Sequence, residues 1–592
     1  MKIKKISAVI FPLLLLLISF LPLLDLFHPG LPITHDGKDH VARIANFYLN
    51  LQQGNFIPRW AENLNWGYGH PILMFLYPLP SYIASVFHFT GFSLVDSTKI
   101  VYGIGFVFSG LAMYLWLQAF LPKQAAFFGG LLYMFAPYRF VDLYVRGDIG
   151  ENLAFIFLPL VLYFLYKYRG VIPHALIKSN DKQRYRDRLR PYLQFIKIFQ
   201  SGFLHLVLGS FSLAGLILAH NAIALMFVPA IVMYAVFLLL DSRLRGNDRK
   251  KSQHSIKIVL FPFILLLLFG FALAAFFWVP ALLEGKYTLR NIVTKGDYVG
   301  NFVSLTRLLY GKWSYGISGE FSVQIGIMQW LSVILSVPLF IFFLKKKNPY
   351  WQLLAGCWVF FFVAIFLMVP VSSFVWSKVT LLQNFQFPWR FLAVTVFVTA
   401  VFGALVVSIL PKKIMLGAVI VSSICLLAFN SSYWHANGYL FKPEKFYTGV
   451  YAGTTDTGES SPIWSVRFME HTPKAHLEVL DGSAKITEEK RTATQHLYLV
   501  SAAKNSFLRE NTLYFPGWKI LVDGVSVPIQ FQDPNNRGVM IFSVPSGRHS
   551  VSVIFTETKL RLIADWVSLL TFLMLAGLSF TKIVYARGCL KS

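Results

Sequence analysis

Residues 258–280 read IVLFPFILLLLFGFALAAFFWVP, with no charged side chain from end to end. A surface helix of that length would carry a polar face, and this one has none. About 20 apolar residues rising ~1.5 Å each are enough to cross ~30 Å of hydrocarbon. Backbone in lipid must satisfy its own hydrogen bonds, so the run is a helix. Residues 6–27, ISAVIFPLLLLLISFLPLLDLF, read the same way. Working outward from these two, crossings fall near 7–27, 98–120, 124–138, 153–167, 203–219, 222–240, 258–280, 325–344, 350–370, 391–410, 414–430 and 563–583. The expected fold is mainly α, a polytopic transmembrane bundle of about 12 helices.

Composition agrees. Of 592 residues, 56% are apolar and 14% charged, where a soluble domain is roughly half apolar and a quarter charged. The formal charge of +26 would suggest nucleic acid in a soluble protein. Here the excess stands in short blocks between apolar runs, with no basic face interleaved with readable groups, so no nucleic-acid partner is expected. Cys357, Cys425 and Cys589 offer neither a disulfide framework nor a metal knuckle. The opening MKIKK and its long apolar run lack a small-x-small cleavage site and read as a retained first helix.

The basic blocks set an orientation. Lys2, Lys4 and Lys5, Arg184 to Arg190, Arg243 to Lys251, the lysines at 345–347, and Lys412 with Lys413 all belong on the cytoplasmic side. They stay there only if the apolar segment 71–90, PILMFLYPLPSYIASVFHFT, does not cross. Pro71, Pro78 and Pro80 argue against one straight helix there. Residues 28–97 are therefore expected as one large external loop of helices lying along or dipping into the membrane, within a 1–430 helical module. The segments 139–152, 281–324, 371–390 and 431–562 come out on the same external face, and both termini on the cytoplasmic one.

Residues 431–562 alone have soluble character. TLYFPGWKILVDGVSVPIQF and GVMIFSVPSGRHSVSVIFTE alternate as strands do, with hairpin signals at Asp523–Gly524 and Ser546–Gly547. A small external β-sandwich is expected there, ahead of a final helix and cytoplasmic tail at 563–592.

The external loops hold the unusual side chains. In the first, THDGKDHVARIANFYLNLQQGNFIPRW, an apolar stripe of Val41, Ile44, Phe47, Tyr48 and Leu51 suggests an interfacial helix. Asp36, His40 and Arg43 are spaced to share one face of it. They either present a base, a polar group and a cation to a ligand, or make a solvated helix start. In the second, YRFVDLYVRGDIGENLAF packs Arg139, Asp142, Arg146, Asp148 and Glu151 between two apolar runs. Mixed charge is not what the positive-inside bias produces; site and bland boundary loop stand even. His220 ends a crossing in the same layer, where a lone His is more often structural. In NFQFPWRFL, Trp389 reads as an interface anchor, and Arg390 is a candidate phosphate partner. Glu284, Lys286 and Arg290 carry the same ambiguity. There is no Walker loop, GxSxG elbow or HExxH pair.

HDGKDHVARIANFYLNLQQGNFIPRWAENLNWGYGHPILMFLYPLPSY, APYRFVDLYVRGDIGENLAFIFLPL, FQFPWRFL and the late LYFPGWKILVDG and VPSGRHSVSVIF stretches resemble a bacterial membrane family labelled 6-pyruvoyl-tetrahydropterin-synthase-related. Nothing in the chain supplies a pterin synthase's histidine cluster, and that activity is not expected. The architecture is similar to the C-type (GT-C) membrane glycosyltransferases. That resemblance implies a bacterial inner-membrane enzyme that transfers sugar from a polyprenyl-phosphate donor to a glycan, lipid or protein acceptor of the cell envelope, with inversion. It implies Asp36 as general base and Asp148 with Glu151 as the second acidic motif. His40, Arg43, Arg146, Arg390 and His220 are then the substrate-binding set. Asp36 is followed by GKDH rather than an acidic neighbour, and the second loop has no DxD, so no metal ligands are assigned. Oxygen donors there would suit Mg2+ or Mn2+ as cofactor. A flippase for lipid-linked glycans and a non-catalytic assembly scaffold are the alternatives.

Overall fold

The structure is a computed structural model that describes residues 2–177, 190–244, 252–316 and 320–588. The basic stretches at 178–189 and 245–251, and Cys589, lie outside the described residues.

The helices, in chain order, are α1 (Lys2–Ser19), α2 (Gly37–Gln52), α3 (Leu79–Phe89), α4 (Leu94–Gln118), α5 (Lys123–Met134), α6 (Ile149–Ile177), α7 (Arg190–Ala219), α8 (Asn221–Leu244), α9 (Ser252–Leu273), α10 (Ala275–Leu283), α11 (Ile327–Lys345), α12 (Tyr350–Met368), α13 (Leu392–Ser408), α14 (Lys412–Asn430) and α15 (Lys559–Gly588). Among the described residues nine helices are long and apolar enough to cross a membrane, and two bent pairs bring the number up to eleven. One bend, of 45°, separates α1 from a 3-10 turn at Leu21–Phe27; the other, of 72°, separates α9 from α10. At the second, the Trp278 indole N–H donates to the Phe271 carbonyl at 2.8 Å, satisfying a group near the break. The chain is thus a multi-pass membrane protein.

α5 departs from expectation. It has 12 residues, about 18 Å of helix, and from Ala125 to Met134 every residue is buried. It runs inside the bundle against α4 and α13 and does not meet lipid. Hydropathy cannot separate an apolar helix wrapped in protein from one wrapped in lipid. Burial sorts the others: the span at Pro388–Ser408 is 89% buried, at the centre, and Lys559–Phe580 only 17%, at the edge. Ile334, Phe362, Ile424 and Leu570 stand exposed on α11, α12, α14 and α15, as lipid-facing side chains do.

The 71–90 run is broken. A single turn at Ile72–Phe75 and the 11-residue α3 are separated at Leu76–Pro78, and neither is long enough to span. α2 is not interfacial: His40 to Phe47 are all buried, against α3, α4 and a turn at Lys445–Thr448.

The late segment forms one connected antiparallel sheet. Its strands follow a short pair, β1 (Leu31–Pro32) and β2 (Tyr439–Leu440). They are β3 (Leu477–Thr492), β4 (Gln495–Leu513), β5 (Trp518–Val522), β6 (Val525–Val527), β7 (Val539–Val544) and β8 (Gly547–Phe555). Asp523 and Gly524, at φ 51° and 81°, make the expected β5–β6 hairpin. Ser546–Gly547 does not make one. β7 and β8 both lie antiparallel to β4, β7 on Ser506–Leu513 and β8 on Gln495–Ala502. The chain continues in one direction through a break at Pro545, which has no N–H for the ladder. The sheet sits on the first loop: Leu513 N–H donates to the Tyr68 carbonyl at 3.0 Å, and Trp60 meets Trp518 edge-on at 5.4 Å. The β1–β2 pair and these contacts gather the first loop, 135–148, 284–316, 369–390 and 431–558 at one end of the bundle.

Candidate active site

Two turns build the site. The first is the start of α2, where Asp36 is the N-cap and its carboxylate bonds no backbone N–H. The second is 137–148: a short helix at Pro137–Phe140, a π-helical turn at Val141–Arg146, then Gly147 at φ 68°. A side chain at Gly147 would collide with Thr34, so the left-handed turn that ends the π segment needs glycine. π turns insert a residue and re-aim side chains, often at functional sites. The two turns are bonded: His35 N–H donates to Val145 O at 2.9 Å and Asp36 N–H to Arg146 O at 2.8 Å.

Asp148 is the N-cap of α6. Its Oδ1 accepts from Glu151 N at 2.9 Å and from Tyr77 Oη at 3.2 Å. Its Oδ2 accepts from Arg146 Nη2 at 2.7 Å, with His220 Nε2 at 3.6 Å. Arg146 Nη1 reaches Asp142 Oδ1 and Glu151 Oε2, each at 2.7 Å, and Tyr138 donates to Glu151 Oε1 at 2.8 Å. The guanidinium lies 4.7 Å from the Trp389 ring centroid. Trp389 is therefore buried on a cation, not a membrane anchor. His220 is an N-cap too: its Nδ1 accepts from Ile223 N at 3.2 Å, and Tyr77 stacks on its ring at 4.8 Å.

A cavity of about 1090 Å³ opens between these turns. Asp36, His40, Arg43, Arg146, Asp148, His220 and Arg390 all line it. Glu151 does not; it is fully buried behind Arg146. Arg146 lines the cavity, but three carboxyl groups, a phenol and an indole face already engage its guanidinium. Arg43 is held by Thr455, through Nε to Oγ1 at 3.3 Å and Nη2 to the carbonyl, and donates from Nη1 to His40 Nδ1 at 3.0 Å. Since arginine can only donate, the neutral His40 carries its proton on Nε2, which is buried without a partner among the described residues. Arg390 donates from Nη1 to Phe385 O at 3.1 Å and, among the described residues, leaves Nε unpaired. Arg390, Lys286 and Arg290, all lining the cavity, have no carboxylate at ion-pair distance among the described residues.

The carboxyl groups divide by environment. Asp36 carries accessible surface inside the cavity, yet it is deep in protein, and burial raises its pKa against the pull of Arg146. Among the described residues its carboxylate has no hydrogen-bond or ion-pair partner. Burial also opposes ionisation of Asp148, but Arg146 and His220 outweigh it and hold that carboxyl well below the usual range. Burial, with Glu151 beside it, pushes Asp142 well above that range. Burial and Arg43 push His40 down to about 3, so it is neutral at neutral pH. Asp36 is thus the carboxylate with both basicity and freedom.

Sequence reasoning missed Tyr77, Asp142 as an Arg146 partner, and the wall formed by Thr455, Asp456, Thr457 and Glu459. Glu284 is absorbed by structure, paired with Arg561 at 2.7 Å. The cavity's other flank is apolar, with Leu225 and Val228 of α8, Phe271 of α9, and Phe277, Trp278 and Leu282 of α10. Donor atoms of Asp148, Glu151 and His220 lie within 4.8 Å of one another, the spacing of groups that share an ion.

No family model matches the chain, and the pterin-synthase-related label finds no support in the comparisons. Over 378 residues the chain is 25% identical to an uncharacterized protein of Lactococcus lactis subsp. cremoris (strain MG1363). The match spans 62% of this chain and 54% of that relative, so the chain covers about half the relative's length. Among solved structures it is similar to the arabinofuranosyltransferase AftD from Mycobacteria. The TM-score is 0.41 and the identity 14%, over 73% of this chain and 27% of that one. It is also similar to the Archaeoglobus fulgidus oligosaccharyltransferase solved with Zn and sulfate. Here the TM-score is 0.33 and the identity 14%, over 76% of this chain and 58% of that one.

Proposed function

We propose that the protein is an inverting membrane glycosyltransferase that takes sugar from a polyprenyl-phosphate donor and passes it to a cell-envelope acceptor on the external face of the inner membrane. The observation that carries this reading is Asp36: an unpartnered carboxylate of raised basicity in a large cavity with cations on one wall and an apolar flank on another. A general base needs that pairing of access and basicity. The acceptor hydroxyl would attack the anomeric carbon while the bond from that carbon to the phosphate oxygen breaks. The hydroxyl proton goes to Asp36, and the bonding pair leaves with the polyprenyl phosphate.

Lys286, Arg290 and Arg390 are the cations free to meet the leaving phosphate, and the neutral Nε2–H of His40 is a further donor. The flank between α8 and α10 suits the carrier's isoprenoid chain, and the 453–459 wall the acceptor. Asp148 and Glu151 act by fixing Arg146 and the second turn, not by moving protons.

The test is transfer itself. Full-length protein in liposomes is offered a panel of undecaprenyl-phosphate-linked sugars, and release of lipid phosphate is followed for wild type and Asp36→Asn. Turnover of one donor that Asp36→Asn loses supports the reading; equal rates for the two proteins overturn it.

A further inference from the structure

Two carboxylates and an imidazole within 4.8 Å have the composition of a divalent-metal site. Two bonded features speak against an ion there. One oxygen of each carboxylate, Asp148 Oδ2 and Glu151 Oε2, is 2.7 Å from the Arg146 guanidinium. A divalent ion there would lie beside a fixed cation. His220 also lacks the lone pair that ligation needs. Its Nδ1 accepts the Ile223 backbone N–H, so its neutral form carries the proton on Nε2, directed at Asp148 3.6 Å away. Stacking on Tyr77 holds the ring in that orientation.

We propose that Arg146 stands where a divalent cation would stand, so that this cluster takes its positive charge from the chain itself and binds no metal. The π turn at Val141–Arg146 explains how: it brings the guanidinium back over the N-terminus of α6, where Asp148 and Glu151 face the same way. Asp142, on the first turn of the π segment, adds a third carboxyl group to the guanidinium, on the Nη1 that Glu151 also meets. The inference holds whatever reaction the cavity runs.

It predicts that removing Arg146 uncovers a metal site. Full-length protein, freed of metal by chelator and dialysis, is titrated with MnCl2 while free Mn2+ is read by electron paramagnetic resonance. Wild type is expected to bind no stoichiometric Mn2+ and to show no shift in Tm. Arg146→Gln is expected to melt lower, to bind one Mn2+ per chain, and to regain Tm with MnCl2; adding Asp148→Asn abolishes both effects. If the single variant is not recovered, Arg146→Gln with Asp142→Asn removes the guanidinium together with one of the carboxyl groups it bonds and serves instead. Stoichiometric Mn2+ on wild type that Asp148→Asn removes would overturn the proposal. So would a folded Arg146 variant that binds none.

Discussion

The backbone N–H of Asp36 donates to the carbonyl of Arg146 at 2.8 Å, so two loops more than a hundred residues apart share one hydrogen-bonded turn. Asp36 therefore serves the fold through its backbone, while its carboxylate bonds nothing at the helix start. Asp36→Asn keeps the backbone bond and the shape of the side chain. It is expected to express and melt like wild type and to lose roughly 10²- to 10⁴-fold in turnover, the range of a positioned base. The check is Tm beside sugar release from the lipid-linked donor.

The acid limb of the rate follows from the same carboxyl. Asp36 must be ionised to take a proton, and burial raises its pKa. Activity therefore falls as pH drops through a value above that of an ordinary Asp, about 3.9. Asp148, held well below the usual range, stays ionised across that window and adds no step. A profile of log kcat/KM against pH measures the limb. A limb at an ordinary Asp value would remove the case for a tuned base.

Much of this architecture was readable in the chain. Apolar runs such as 325–344 name their helices, and Pro71, Pro78 and Pro80 announce the break in 71–90, but nothing in the unbroken run 258–280 announces the 72° bend that divides it between α9 and α10. The interior placement of α5 was not readable, because an apolar run looks the same against protein and against lipid. Asp36, His40, Arg43, Asp148, His220 and Arg390, singled out for their odd placement beside apolar runs, line one cavity. The roles of Arg146 and Glu151 were not readable, because a π turn and a left-handed Gly147 decide where those side chains point. Thr455 to Glu459 come from a segment with no periodicity to read, carried to the cavity by bonds such as that from Asn65 N–H to Gly453 O.

The two arginines nearest the Asp148 turn should fail in different ways. Arg146 sits among three buried carboxylates, and removing one partner of such a cluster costs about 3–5 kcal/mol. Arg390 has no carboxylate partner and gives one bond to a carbonyl. Arg146→Met is expected to lower Tm strongly, and Arg390→Gln to leave Tm within a few degrees while raising KM for the donor. Thermal melts with donor titrations separate the two.

Glu284 and Arg561 link the end of α10 to the start of α15, at 2.7 Å and both buried. Arg561 also donates to the Pro516 carbonyl at 2.6 Å, so the pair fastens the sheet to the bundle beside Lys286. Either single alanine substitution strands a buried charge and is expected to cost about 3–5 kcal/mol, and the double variant less than the sum. A double-mutant cycle on Tm reads the coupling. Additive losses would mean that the two charges act apart.

His40 is the finest test of the cavity's polarity. Arg43 fills its Nδ1, so the ring offers only the Nε2 proton, and no group among the described residues takes that proton. A buried donor without a partner costs about 1–3 kcal/mol, a cost that a bound oxygen would offset. Glutamine can place an amide N–H near the position of Nε2; asparagine is too short, and alanine offers nothing. The expected order of turnover is His40 above Gln, with Asn and Ala roughly 10-fold or more lower, consistent with the ~1.4 kcal/mol or more carried by one hydrogen bond to a charged group. The rate should show no titration of His40 near neutral pH, because burial and Arg43 hold it down to about 3. If Gln, Asn and Ala are equally active, the Nε2 proton meets no substrate, and the ring is there to hold Arg43 against Thr455.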